Sequence, residues 1–157
     1  MIRHAKSSWT EPYQNDHDRG LNGRGKRDAP RMAKYLQSYY PEIDEFISST
    51  AKRAKKTSTI FHKIAFEKTS FREESRLYHA SASTIIDVAR GANNKHDYVA
   101  IFGHNPGMTD AVNIFNDGYI DNVPTCGIGI IEADITEWSE LDAKNAKLKF
   151  FFYPKML

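Results

Sequence analysis

The chain has 157 residues, 40% apolar and 27% charged, the composition of one ordinary globular domain expected to span residues 1–157. No apolar run of about 18 residues occurs, which argues against a membrane-spanning helix, and the single cysteine, Cys126, excludes an internal disulfide framework and a multi-cysteine zinc site. The net charge of +2 is uneven: residues 1–80 hold 16 Lys/Arg against 10 Asp/Glu and the rest hold 6 against 10, which suits either an anionic partner or a solvated lysine-rich helix face.

Met1 to His4 reads as the end of a strand, with no apolar leader of the secretory kind before it. With one cysteine, a reducing cytoplasm is the expected compartment. Residues 5–22 are polar and read as a long loop. Met32, Ala33, Leu36 and Tyr40 recur at helical spacing, which predicts a helix over 23–40, stopped by Pro41. Residues 45–49 read as a short strand. Residues 51–65 read as a helix with Ala54, Ile60, Phe61 and Ile64 available for the core. Residues 66–80 suit a short strand and a loop around Leu77-Tyr78. Residues 81–92 read as a helix facing inward through Ile85, Ile86 and Ala89. The continuous apolar run at 98–102 predicts a buried central strand. Gly103-His104-Asn105-Pro106-Gly107 ends it and opens a helix, with Asn105 as N-cap and Pro106 at the first helical position. Residues 127–135 and 146–153 read as two strands, a hairpin whose long loop holds Trp138. The last strand, rich in phenylalanine, is expected to turn one aromatic face into the core. The alternation predicts an α/β fold.

Two features carry chemistry. Arg3-His4 stands at one strand end, and His104 at another that opens a helix. Ligands of open α/β sheets bind beyond the carboxyl ends of strands, so the two histidines can share one pocket. A helix N-terminus there would add free N–H groups and a positive dipole end, which suit an anion. A structural role for each histidine is the plain alternative.

Arg3-His4-Ala5-Lys6-Ser7-Ser8-Trp9 resembles the opening motif of the histidine phosphatase superfamily, in the form of the SixA-type phosphohistidine phosphatases. Three further stretches agree in order: Asp18-Arg19-Gly20-Leu21-Asn22 with Gly25, Ser48 to Ala54 with Thr57, and Phe102 to Gly107. The resemblance covers residues 1 to about 130. It implies a three-layer α/β/α sandwich with a mostly parallel, mixed sheet, the phosphoglycerate mutase-like fold. It also implies a phosphate pocket of His4, His104, Arg3 and Arg53. His4 would attack phosphorus and become a phosphohistidine that water hydrolyses, and His104 would donate to the phosphoryl group. The chemistry fits: guanidinium forks suit phosphoryl oxygens, and a neutral imidazole is a good nucleophile near neutral pH. Arg3 and Arg53 should disfavour protonation of His4, whose other ring nitrogen is expected to donate to a backbone carbonyl.

Arg19 is a candidate substrate contact at the pocket mouth, the alternative being an ion pair with Asp16 or Asp18. Asn105 is a candidate to touch phosphate through its backbone N–H. Thr50 and Thr57 are expected to be structural, and Cys126 a buried small residue. Many superfamily members carry an acid in a Leu-x-Glu setting that protonates the leaving group. Here Leu77-Tyr78-His79 stands in that place, with His79 a possible substitute acid, and the SixA-type branch often lacks the carboxylate. A missing acid favours a P–N substrate, because an alkoxide leaves poorly without one. Only Met1 and Ile2 precede Arg3-His4, so either the first strand is very short or native residues precede Met1; a truncated strand would hold His4 less firmly.

The function expected is a phosphatase acting on protein phosphohistidine, its partner a histidine phosphotransfer domain carried over from the resemblance. Alternatives are a phosphatase or mutase for a small phosphoester, and a phosphate-binding module without turnover. No metal, cofactor, nucleic acid or membrane partner is expected, and the chain is expected to be a monomer.

Overall fold

The computed structural model describes residues 1–11 and 13–157. Six strands form one sheet in the order β3-β2-β4-β1-β5-β6. They are β1 (Ile2–Arg3), β2 (Glu45–Ser48), β3 (Ser70–Glu73), β4 (Val99–Gly103), β5 (Ile128–Ala133) and β6 (Ala146–Phe152). The four from β3 to β1 are parallel, and β5 and β6 are antiparallel additions. Helices α1 (Gly23–Tyr39) and α2 (Lys52–Ala65) pack together, as do α3 (Ala82–Arg90) and α4 (Gly107–Ile114).

Strand alternation builds the three layers. Phe46 and Phe102 enter the core with α1 and α2, while their neighbours Ile47 and Ile101 enter the core with α3 and α4. The strand β4 is buried over 100–103 because it lies between β2 and β1 with helices on both faces. The architecture is therefore the expected α/β/α sandwich with a mixed, mostly parallel sheet.

Local chemistry sets the ends of the elements. The Asn22 side chain accepts from the Gly25 N–H and caps α1, and Ser81 caps α3 through the Thr84 N–H. A Cβ at Gly25 would stand 2.2 Å from the Lys6 carbonyl oxygen, and one at Gly107 would stand 2.0 Å from that of Ala80. Both positions need glycine because a helix start there touches another backbone. These close approaches set α1 against the segment after His4, and α4 against the segment after Tyr78.

Four local expectations are corrected. Asn105 does not cap α4: its side-chain amide donates to Asn122 Oδ1 (2.8 Å) and the Val123 carbonyl (3.3 Å). The helix begins at Gly107, one residue later than expected, with Pro106 in the cap position and no side-chain cap. Ile64 is exposed, because the buried stripe of α2 runs from Phe61 to Ala65 one full turn on. Tyr98 precedes its strand and is half exposed, its carbonyl accepting from Asp44 and Glu45. In β6 the aromatics divide between two faces: Phe152 and Phe150 stack near Tyr39 of α1, whereas Phe151 packs on the α3–α4 side.

Candidate active site

His4 follows β1, and His104 follows β4, its parallel neighbour, so both stand at the carboxyl end of the sheet. Their ring centroids lie 5.0 Å apart. The His4 N–H donates to the Gly103 carbonyl, and the Cys126 N–H donates to the carbonyls of Arg3 and His4, which pins the short strand from both sides. Thr57 adds a cross-tie: its hydroxyl accepts from the Ala5 N–H and donates to the Arg53 carbonyl. Thr57 thus joins the segment that follows His4 to α2.

The tautomer of His4 follows from its partners. Nδ1 lies 2.8 Å from the Ala5 carbonyl, which can only accept, so Nδ1 carries the proton. Nε2 then presents its lone pair and accepts from Arg53 Nε at 3.3 Å. An imidazole in this state is a nucleophile at Nε2. His104 Nε2 lies 2.8 Å from the Ser49 hydroxyl, and its buried Nδ1 has no protein partner among the described residues. When Ser49 donates to Nε2, Nδ1–H is free to donate to a phosphoryl oxygen.

The guanidiniums are braced differently. Arg53 is buried and gives Nη1–H to the Asp16 carbonyl (2.6 Å) and Nη2–H to Asp16 Oδ2 (3.1 Å). A guanidinium has about five N–H donors, so two remain for a ligand after these bonds and the one to His4. Arg3 Nη1 donates to the Val123 carbonyl (2.7 Å) and Asn122 Oδ1 (3.2 Å), while its buried Nε has no partner among the described residues. Arg19 is buried against Asp16, Ser7 Oγ and the Ser8 carbonyl, with its guanidinium 3.6 Å over the Trp9 ring. Its place is that of an ion-paired brace. The side chain of Asn105 holds the 122–123 loop and, through Asn122, shares a partner with Arg3.

Sequence reasoning undervalued Asp16, which it weighed only as a partner of Arg19. Its carboxylate receives Arg19, Arg53 and the Tyr78 hydroxyl (2.8 Å), and His79 Nε2 lies 3.8 Å away. Burial would raise its pKa, but the bonds from Tyr78, Arg19 and Arg53 win and hold it well below the usual carboxylate range. Asp16 is therefore an ionised anchor and not a proton donor. The signal was available in principle: two buried arginines so close to the site need a carboxylate. Ser49 was likewise unassigned before the structure. Glu73 and Glu74 are engaged elsewhere, by Lys55 and by Arg72 and Arg76. His79 is exposed at the site's edge beside Tyr78. Cys126 is buried, which pushes its thiol pKa up and leaves it unreactive. A cavity lined by Ile43, Val99, Ile131 and Trp138 among others lies near the opposite ends of the strands and includes none of these site residues.

Burial is the largest influence on both histidines. It lowers His4 to about 3, with Arg53, Arg3 and Arg19 assisting against the Ala5 bond. It lowers His104 to about 2, with the charges of His4, Arg53 and His79 assisting. Both imidazoles are then neutral through the physiological range. The acid limb of kcat/KM on an aryl phosphate, corrected for ionisation of the substrate, is expected below about pH 4, and not near the ordinary imidazole value of about 6.5. A limb near that ordinary value would contradict this. Stability has the matching sign. The unfolded chain binds these protons below about 6.5 and the folded chain does not, so stability falls as pH drops from there.

Residues 1–78 match the model of the histidine phosphatase superfamily, branch 1. A Mycobacterium leprae protein is 28% identical over 166 residues, spanning 98% of this chain and 100% of that one. The structure of SixA from Agrobacterium tumefaciens is similar at a TM-score of 0.81 and 24% identity, over 98% of this chain and 95% of that one. The protein histidine phosphatase SixA complexed with tungstate gives a TM-score of 0.81 at 18% identity, over 99% and 96%. These two likenesses establish the fold.

Proposed function

Because the chain belongs to the histidine phosphatase superfamily, we propose that it is a phosphatase working through a phosphohistidine on His4, and that its substrate is phosphohistidine in a protein. The observation that carries the reading is the state of His4. Nδ1 is tied to the Ala5 carbonyl, and Nε2 is unprotonated beside Arg53 and across from His104. Anion binding alone has no use for a nucleophile held in one tautomer.

In the reaction, His4 Nε2 attacks phosphorus and the bond to the leaving group breaks. Arg53, Arg3 and His104 Nδ1–H meet the charge on the phosphoryl oxygens. Water then attacks phosphorus and returns His4 to its neutral form, releasing phosphate. The same arrangement bears on substrate class. Asp16, the carboxylate held at Arg53, is ionised and saturated with donors, so it has no proton to give. An alkoxide leaving group needs such a proton. An imidazole protonated on its far nitrogen departs neutral, which supports a P–N substrate. A phosphorylated histidine phosphotransfer domain is the proposed partner.

The test is a comparison of kcat/KM on free phosphohistidine and on an alkyl phosphomonoester such as glycerol 3-phosphate. The P–N compound is expected to be preferred by about 10²-fold or more, the size of a missing acid's contribution. Equal or reversed preference would replace this reading with that of a small-phosphoester phosphatase.

A further inference from the structure

The positive charge of the N-terminal half is concentrated in one layer. Helix α1 holds five Lys/Arg and one acid, Asp28, which is buried; α2 holds five Lys/Arg and no acid. Arg53 belongs to the site and Lys55 bridges Glu73 at 2.8 Å. Lys52 and Lys56 are exposed and form no ion pair among the described residues. They stand one turn apart, so both project from one face of α2. This placement opposes local stability, since like charges at that spacing repel and cations near a helix start oppose the macrodipole. Nothing in the packing of the fold requires it.

These lysines line a surface hollow with His17, Asp18, Thr50, Lys55 and Thr59. The hollow adjoins residues of the candidate active site. His17 Nε2 bonds Thr50 Oγ1 at 3.0 Å, and the residue before His17 is Asp16, which holds Arg53. Lys52 and Lys56 are exposed and immediately precede the buried Arg53 and Thr57 on α2, so a partner too large for the pocket that covers the start of this helix meets both lysines. A small phosphate ester is spent in the pocket, whereas a protein carrying the phosphoryl group extends beyond it.

We propose that the face of α2 bearing Lys52 and Lys56 docks an acidic surface of the phosphoprotein substrate, beside its phosphorylated side chain. This rests on the protein-substrate reading above. Charge complementarity makes the partner acidic, and contact at exposed lysines makes the attraction screened by salt.

The test uses the Lys52→Glu/Lys56→Glu double variant with two substrates of one chemistry, free phosphohistidine and an acidic helical domain carrying one phosphohistidine. The variant is expected to lose about tenfold or more in kcat/KM on the domain and less than about twofold on free phosphohistidine. Wild-type kcat/KM on the domain is expected to fall steeply between about 50 and 300 mM NaCl, and that of the variant to be nearly flat. Its thermal midpoint is expected to stay level or rise, because glutamate suits the start of α2. Unchanged kcat/KM on the domain overturns the proposal, as does an equal loss on both substrates. So does salt-sensitive capture of RNA or anionic vesicles through these lysines with unchanged turnover of the domain. If wild type hydrolyses neither phosphohistidine substrate but does hydrolyse the acidic domain phosphorylated on serine, the P–N reading fails. The double variant then decides docking on that domain by the same criteria.

Discussion

His4→Ala is expected to abolish measurable turnover of an aryl phosphate, a fall of about 10⁴-fold or more in kcat. The size follows from what is lost. Without Nε2 there is no covalent step, and the remaining groups can only hold the phosphoryl group for direct attack by water. No neighbour can stand in: His104 Nε2 is occupied by Ser49, and Cys126 is buried with its thiol pKa raised. The substitution also removes the bond to Ala5 and opens a small buried space, so the thermal midpoint should drop by a few degrees. A folded variant that binds vanadate yet fails to turn over separates chemistry from folding. Retained activity near the wild-type rate would remove His4 from the mechanism.

Arg53→Lys is the second large effect, expected at about 10²- to 10³-fold in kcat/KM although the charge is kept. Arg53 does three things at once from one planar group. Nε–H donates to His4 Nε2, Nη1–H and Nη2–H grip the Asp16 carbonyl and carboxylate, and two further N–H groups remain for a ligand. An ammonium has about three donors at one point and cannot span His4 and Asp16 together. Lysine would follow Asp16 and leave the phosphoryl group without its planar pair of donors. A rate within about twofold of wild type would show that position 53 supplies charge alone.

The legible parts of the fold share a physical cause. Strand β4 reads plainly from sequence because burial on both faces demands an unbroken apolar run, and α1 because Met32, Ala33 and Leu36 must share one face. The start of α4 is less legible. Asn105 has the chemistry of an N-cap, but tertiary contacts with Asn122 and Val123 take its amide. Ile64 was misplaced by periodicity at the end of a helix, where the stripe leaves the sheet.

The candidate site divides in the same way. His4, Arg3, Arg53 and His104 stand at strand ends or at the first turn of a helix, positions that sequence patterns mark, and the fold brings them together. Asp16 lies in a polar loop with no periodicity, and its importance comes from a 3-10 turn over Asp16–Asp18 that folds back on the start of α2. For Arg19 the sequence leaves open a ligand contact and an ion pair with Asp16 or Asp18, and its bonds run to Asp16, Ser7 and Ser8. Protonation states were legible only in direction. The arginines were expected to keep His4 neutral and do contribute, but burial acts more strongly.

The covalent step is open to direct observation. Enzyme mixed with an aryl phosphate and quenched in alkali within one turnover, then digested and analysed by mass spectrometry, should carry one acid-labile phosphoryl group on the peptide containing His4, absent from His4→Ala. Phosphate found on another residue, or a burst of aryl alcohol with no phosphorylated peptide at His4, would contradict nucleophilic attack by His4.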